Sequence, residues 1–79
     1  MKVTIRYFAI LREQAGKVEE SLATTAATPA ELFDELKYRY GFALTASQLK
    51  VAINTEFRDW HTALKDGDSV VFIPPVAGG

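Results

Sequence analysis

Residues Ser69 to Gly79 read SVVFIPPVAGG, and the order of their parts decides the fold. Val70 to Ile73 is an unbroken apolar run, as expected of a central strand. Pro74 and Pro75 then remove two ladder donors and fix φ, so the chain beyond them cannot rejoin a sheet. Val76, Ala77, Gly78 and Gly79 follow with small side chains and no side-chain charge, and they offer nothing from which to build a core contact.

Working outward, Asp66, Gly67 and Asp68 spell a tight turn ahead of that strand. At the other end of the chain, Val3, Ile5 and Tyr7 alternate with Lys2, Thr4 and Arg6, the period-2 signature of a strand with one buried face. Ile10 to Ala15 is long enough for a helical turn before Gly16, and Val18 to Leu22 reads as a second, more polar strand paired with the first.

Thr28, Pro29, Ala30 and Glu31 spell a helix start, with Thr28 as cap, Pro29 at the first helical position and Glu31 completing a capping box. Leu32, Leu36 and Tyr40 follow at four-residue spacing beside Phe33, giving one stripe that faces the sheet, and Gly41 is placed to end the helix. Glu35 and Arg39 pair on its outer face. After a loose stretch from Phe42 to Gln48, Val51 and Ile53 alternate with Lys50, Ala52 and Asn54 as a third strand. Asn54 and Thr55 turn the chain into a short edge strand, Glu56 to Arg58, and Trp60 to Leu64 form a packed irregular segment.

These elements predict an α+β fold: a ubiquitin-like β-grasp, with a mixed sheet of four to five strands, one main helix packed on one face, and the last strand parallel to the first. The expected organisation is a single domain over 1–79, with a globular body over 1–73 and an extended, flexible tail over 74–79 that ends in Gly-Gly.

Composition narrows the function. At 79 residues the chain is one small domain, which buries only about 60% of its unfolded surface. It is 48% hydrophobic and 11% aromatic, far from a disordered composition. Nine basic and ten acidic residues leave a formal charge of −1, so no cationic field suits nucleic acid or anionic lipid. The absence of cysteine excludes a disulfide framework, a thiolate zinc site and a cysteine nucleophile. No apolar run approaches the roughly 18 residues of a membrane span, and a cytoplasmic location is expected.

Two stretches, VTIRYFAILREQAG at 3–16 and LKDGDSVVFIPPVAGG at 64–79, resemble the small subunit of molybdopterin synthase, the MoaD-like sulfur carriers. The likeness covers the whole chain, and FIPPVAGG at 72–79 is its most specific part. It is supported by the Asp66–Gly67–Asp68 turn and by Phe8, Leu11, Arg12 and Glu13. The resemblance implies that an E1-like adenylating enzyme activates the Gly79 carboxylate with ATP and that a sulfur donor displaces AMP. The product is a thiocarboxylate: covalent sulfur on Gly79, with no permanently bound cofactor. It further implies that Pro74, Pro75, Val76, Ala77 and Gly78 enter the active site of the large synthase subunit, where cyclic pyranopterin monophosphate receives the sulfur. Such a chain is not an enzyme by itself.

Glycine suits this chemistry because a side chain at Gly78 or Gly79 would obstruct close approach to the activating site. Ordering the tail costs about 1 to 2 kcal/mol per residue of backbone, so a docking surface is needed to offset it. Strand parity sets Phe8 opposite Val3, Ile5 and Tyr7; by resemblance to ubiquitin's last strand, Val70 and Phe72 point inward and Val71 and Ile73 outward. The expected partner-docking patch is Phe8, Val71 and Ile73, against the plainer reading that residues such as Trp60 cover it.

Other features lead nowhere chemical. His61 lacks companions for a metal set, Asp66 and Asp68 lack the rest of a calcium loop, and no metal is expected. Glu19 and Glu20 are strand neighbours on opposite faces and read as solvated. Three rival functions remain: a thiamine-pathway sulfur carrier would couple to a thiazole-forming partner, a ubiquitin-like modifier would appear as lysine adducts, and a binding module with an inert tail would be indifferent to loss of Gly79.

Overall fold

The computed structural model describes residues 1–75. Five strands form one mixed sheet: β1 (Lys2–Arg6), β2 (Glu19–Ala23), β3 (Lys50–Ile53), β4 (Glu56–Arg58) and β5 (Ser69–Ile73), in the spatial order β2-β1-β5-β3-β4. The apolar run at 70–73 is the central strand. It lies parallel to β1, with Ile5 opposite Val70, and antiparallel to β3, with Val51 opposite Phe72. This is the expected ubiquitin-like β-grasp, and all five strands are present.

The main helix, α2 (Pro29–Tyr40), begins as its sequence dictates, with the Thr28 hydroxyl accepting from the Glu31 amide at 3.3 Å. The reciprocal arm differs from a capping box. Glu31 accepts from the Ala27 amide at 2.8 Å, one residue before the cap, so an additional free donor outside the helix is satisfied. Gly41 ends the helix at φ 69°, donating to Lys37 O. Leu32, Phe33 and Leu36 are buried against Val3, Ile5, Val70 and Phe72 in one apolar core.

A second helix is longer than the expected turn: α1 (Ala9–Ala15) sends Leu11 fully into the core and closes on Gly16 at φ 76°. The stretch after α2 is less loose than expected, too. Phe42 is buried and stacks with Phe33 at 5.9 Å, and a 3₁₀ turn at Ala46–Gln48 is started by the Gln48 side chain accepting from the Thr45 amide at 2.9 Å.

Asn54 and Thr55 join β3 to β4 with positive φ at both, 52° and 72°, the backbone of a two-residue type I′ hairpin. The acidic turn before β5 is stitched to two neighbours. Asp66 accepts from the Lys2 amide at 2.7 Å, and the buried Asp68 carboxylate accepts from Asn54 Nδ2 at 2.9 Å and the Lys65 amide at 2.8 Å. The turn thereby fixes where β5 starts relative to β1 and β3.

Candidate functional site

The site predicted from the sequence divides at residue 75. Val76, Ala77, Gly78 and Gly79 lie outside the described residues. What the structure describes is the platform that carries them: β5, the Pro74–Pro75 root and the outer, helix-free face of the sheet.

Parity along β5 sorts its side chains cleanly. Val70 and Phe72 are fully buried toward the helices, while Val71 and Ile73 are half-buried on the outer face. Phe8 follows β1 at 43% exposure. Phe8 is itself extended, at φ −128° and ψ 153°, and so continues the alternation of β1; the next residue, Ala9, sits at φ 50°, a left-handed conformation costing a non-glycine residue roughly 1–2 kcal/mol. The kink starts α1, whose Leu11 amide donates to Phe8 O at 3.1 Å. Backbone strain of this kind persists only where surrounding packing imposes it, here the burial of Leu11 beneath the helix.

Trp60 does not lie over the patch. Its ring stacks on Phe72 at 5.7 Å and meets Phe33 edge-on at 6.0 Å, which places it on the helix side of the sheet. Pro74 is half-buried and Pro75 exposed, and they border a cavity of ≈ 310 Å³ together with Ile73 and the Ser47–Lys50 segment.

The sequence missed two features of this face. Ala52 has outward parity yet is buried, because its register partners on either side are Val71 and Phe57. Phe57 itself is 68% exposed; it stands alone in a three-residue strand, too short for period-2 reading. The signal available was its single-residue offset from two charged neighbours, Glu56 and Arg58.

The carboxylates need one correction. Glu19 is exposed as expected, but Glu20 is half-buried on the core side of β2. One oxygen accepts from both the Tyr7 hydroxyl and, at 2.6 Å, the Tyr40 hydroxyl, and Lys17 approaches the other at 3.6 Å. Burial by itself would raise the Glu20 pKa; the two hydroxyls and the ammonium outweigh it and hold the carboxyl below its usual range. Tyr7 is pushed far above an ordinary phenol, first by burial and then by the adjacent carboxylate. This cluster braces the β2 edge against α2, away from β5. His61 is exposed in a turn, and no group of three or more metal-ligating side chains is found among the described residues. No helix among them is long and apolar enough to cross a membrane.

Comparison with known proteins finds relatives along the whole chain. The chain is 33% identical to the molybdopterin synthase sulfur carrier subunit of Haemophilus influenzae, covering 98% of this chain and 99% of that one. It is 34% identical to the protein of the same description from Mycobacterium tuberculosis, covering 100% and 99%. It also superimposes on a chain in the complex of subunits 1 and 2 of the molybdopterin-converting factor from Helicobacter pylori, with a TM-score of 0.71, 29% identity and full coverage of both chains. A family model described as the ThiS family matches residues 5–79, and the chain belongs to that family.

Proposed function

We propose that this chain is the sulfur-carrying small subunit of a molybdopterin synthase and does its chemistry through the Gly79 carboxylate. The observation that carries the reading is end-to-end similarity to named sulfur carrier subunits, in a family match that runs through residue 79. The platform suits it. A central strand feeds straight into Pro74 and Pro75, so the residues beyond start from a fixed point with restricted φ.

The cycle follows from carboxylate chemistry. An oxygen of Gly79 attacks the α-phosphate of ATP in the site of an E1-like partner, releasing pyrophosphate and leaving an acyl adenylate. Sulfide supplied by a sulfur donor attacks that carbonyl and expels AMP, and the thiocarboxylate remains. The ionised sulfur is then a nucleophile built on the main chain, which a protein without cysteine needs. With Pro74 to Gly78 threaded into the large subunit, it attacks a carbon of cyclic pyranopterin monophosphate and displaces an oxygen substituent; water then cleaves the acyl–sulfur bond, leaving the sulfur on the substrate and regenerating the Gly79 carboxylate. A dithiolene has two sulfurs, so two loaded carriers are consumed per product. Phe8, Val71 and Ile73 supply docking contacts that offset the ordering of the tail.

The test is the intact mass of the protein after incubation with the activating enzyme, ATP and a sulfur donor. Replacement of one oxygen by sulfur on Gly79 is expected. Deleting Gly79 leaves folding intact and abolishes transfer; retained transfer would refute the assignment. Adducts on lysines of other proteins would instead identify a modifier.

A further inference from the structure

Among the described residues the sheet ends on two free edges, β2 and β4, and an exposed edge strand is a template for pairing with another chain. At β4 the free main-chain groups can be assigned. The Asn54 amide donates to Ser69 O at 2.8 Å, so by the alternation of an antiparallel ladder Lys50, Ala52 and Asn54 turn their main-chain groups to β5, and Val51 and Ile53 turn theirs to β4. Their partners in register, Arg58 and Glu56, answer from β4. The N–H and C=O of Phe57 therefore point away from the sheet, with no ladder partner among the described residues. The Phe57 ring stands 68% exposed on the outer face. Glu56 and Arg58, on the opposite face of the strand, are exposed as well and pair with each other at 3.1 Å.

We infer that two copies of this chain associate through β4, antiparallel and with Phe57 opposite Phe57, joining their sheets into one. The sequence of the strand, Glu-Phe-Arg, is self-complementary in that register. The two Phe57 residues exchange both of their free main-chain bonds and bring their rings together on the outer face. On the other face Glu56 meets Arg58 of the second copy and Arg58 meets its Glu56, the reciprocal pairing that a two-fold axis demands. Each of the four charges then has only opposite charges as nearest neighbours, along its own strand and across. A register that sets Glu56 against Glu56, or Arg58 against Arg58, places like charges together. The other edge, β2, carries Glu19 and Glu20, so two copies meeting there bring net charge of one sign. Because β4 and β5 are both antiparallel to β3, they run parallel to each other. The two Pro74–Pro75 roots thus point in opposite directions, with the β5 strands five spacings apart, about 24 Å, and neither end obstructs the other. Three residues a side make a small contact of the weak, transient class, with a dissociation constant of about 0.1–1 mM. The association needs none of the sulfur chemistry proposed above.

The test is sedimentation equilibrium of the full chain, with amide chemical shifts, from about 0.02 to 2 mM at low salt. The mean mass rises toward that of a dimer, and the Phe57 amide shift moves with concentration. By symmetry one charge reversal turns two attractive cross-strand pairs into repulsive ones, so Glu56→Arg and Arg58→Glu each weaken association about tenfold or more. Mixed in equal amounts, these two variants associate as wild type does, because each supplies the charges the other lacks. The swap Glu56→Arg/Arg58→Glu in one chain does the same. Phe57→Ala weakens the pair, and Tyr38→Ala, an exposed aromatic of α2, leaves it unchanged. Recovery in the mixture also shows that both reversed chains are folded. A wild-type chain that stays monomeric throughout, a dimer indifferent to both reversals, or a mixture that fails to recover overturns the inference and leaves the sulfur-carrier reading standing.

Discussion

Replacing Glu20 by alanine tests how the sheet edge is held. The change strands the hydroxyl of Tyr7, whose side chain is fully buried, at a cost of about 1–3 kcal/mol for an unsatisfied polar group. Tyr40 is half-buried and regains water, and the Lys17 pair, with 42% of the lysine side chain exposed, adds at most about 0.5 kcal/mol. The expected loss is about 2–3 kcal/mol. A domain of 79 residues has about 4–12 kcal/mol in all, so the melting temperature falls by about 10–20 °C. Trp60, the single tryptophan, stacks on Phe72 and reports urea unfolding by fluorescence. A cycle with Tyr7→Phe sharpens the test: once the phenol hydroxyl is gone nothing is stranded, and the double variant is less damaged than the summed singles by about 1 kcal/mol or more. Strict additivity, or a loss below about 0.5 kcal/mol for Glu20→Ala, would refute the bracing role.

The same cluster sets two pH limits. The folded Glu20 carboxyl titrates below its ordinary 4.5, so under acid the unfolded chain takes up its proton first; this contribution to stability is complete above that value and is lost as pH falls through the folded pKa. Tyr7 works in the opposite direction. Its folded pKa lies above the ordinary 10.0, so its share is complete below that pH and declines above it, and urea midpoints measured against pH lose this alkaline limb in Tyr7→Phe. Thr55→Gly relieves a β-branched residue at φ 72° and raises stability by about 0.5–1 kcal/mol in chemical denaturation. Thr28→Ala removes the α2 cap and costs about 1 kcal/mol by the same measurement.

The fold was legible wherever local chemistry carried it. Thr28, Pro29 and Gly41 bound α2 by backbone rules that need no neighbours, and the prolines stop β5, whereas the facing of Val71 and Ile73, in an unbroken apolar run, came only from the resemblance to ubiquitin's last strand. Parity says that Glu19 and Glu20 face opposite ways, yet not which face meets two tyrosines from distant segments. Only tertiary packing identifies Glu20 as the inward one. Ala52 shows the same limit, since its burial comes from large neighbours in register on β4 and β5. Phe8 follows the parity of β1, but the left-handed Ala9 that turns the chain into α1 has no signature in a residue that prefers ordinary helix.

Because the segment that leaves the sheet is its middle strand, bonded along both flanks, tension on that segment runs along the strand and loads many peptide links together. An edge strand would unzip one link at a time. A body built this way resists a pull on Pro74 through both neighbours of β5 at once, and would keep its fold if the proposed cycle draws on that end.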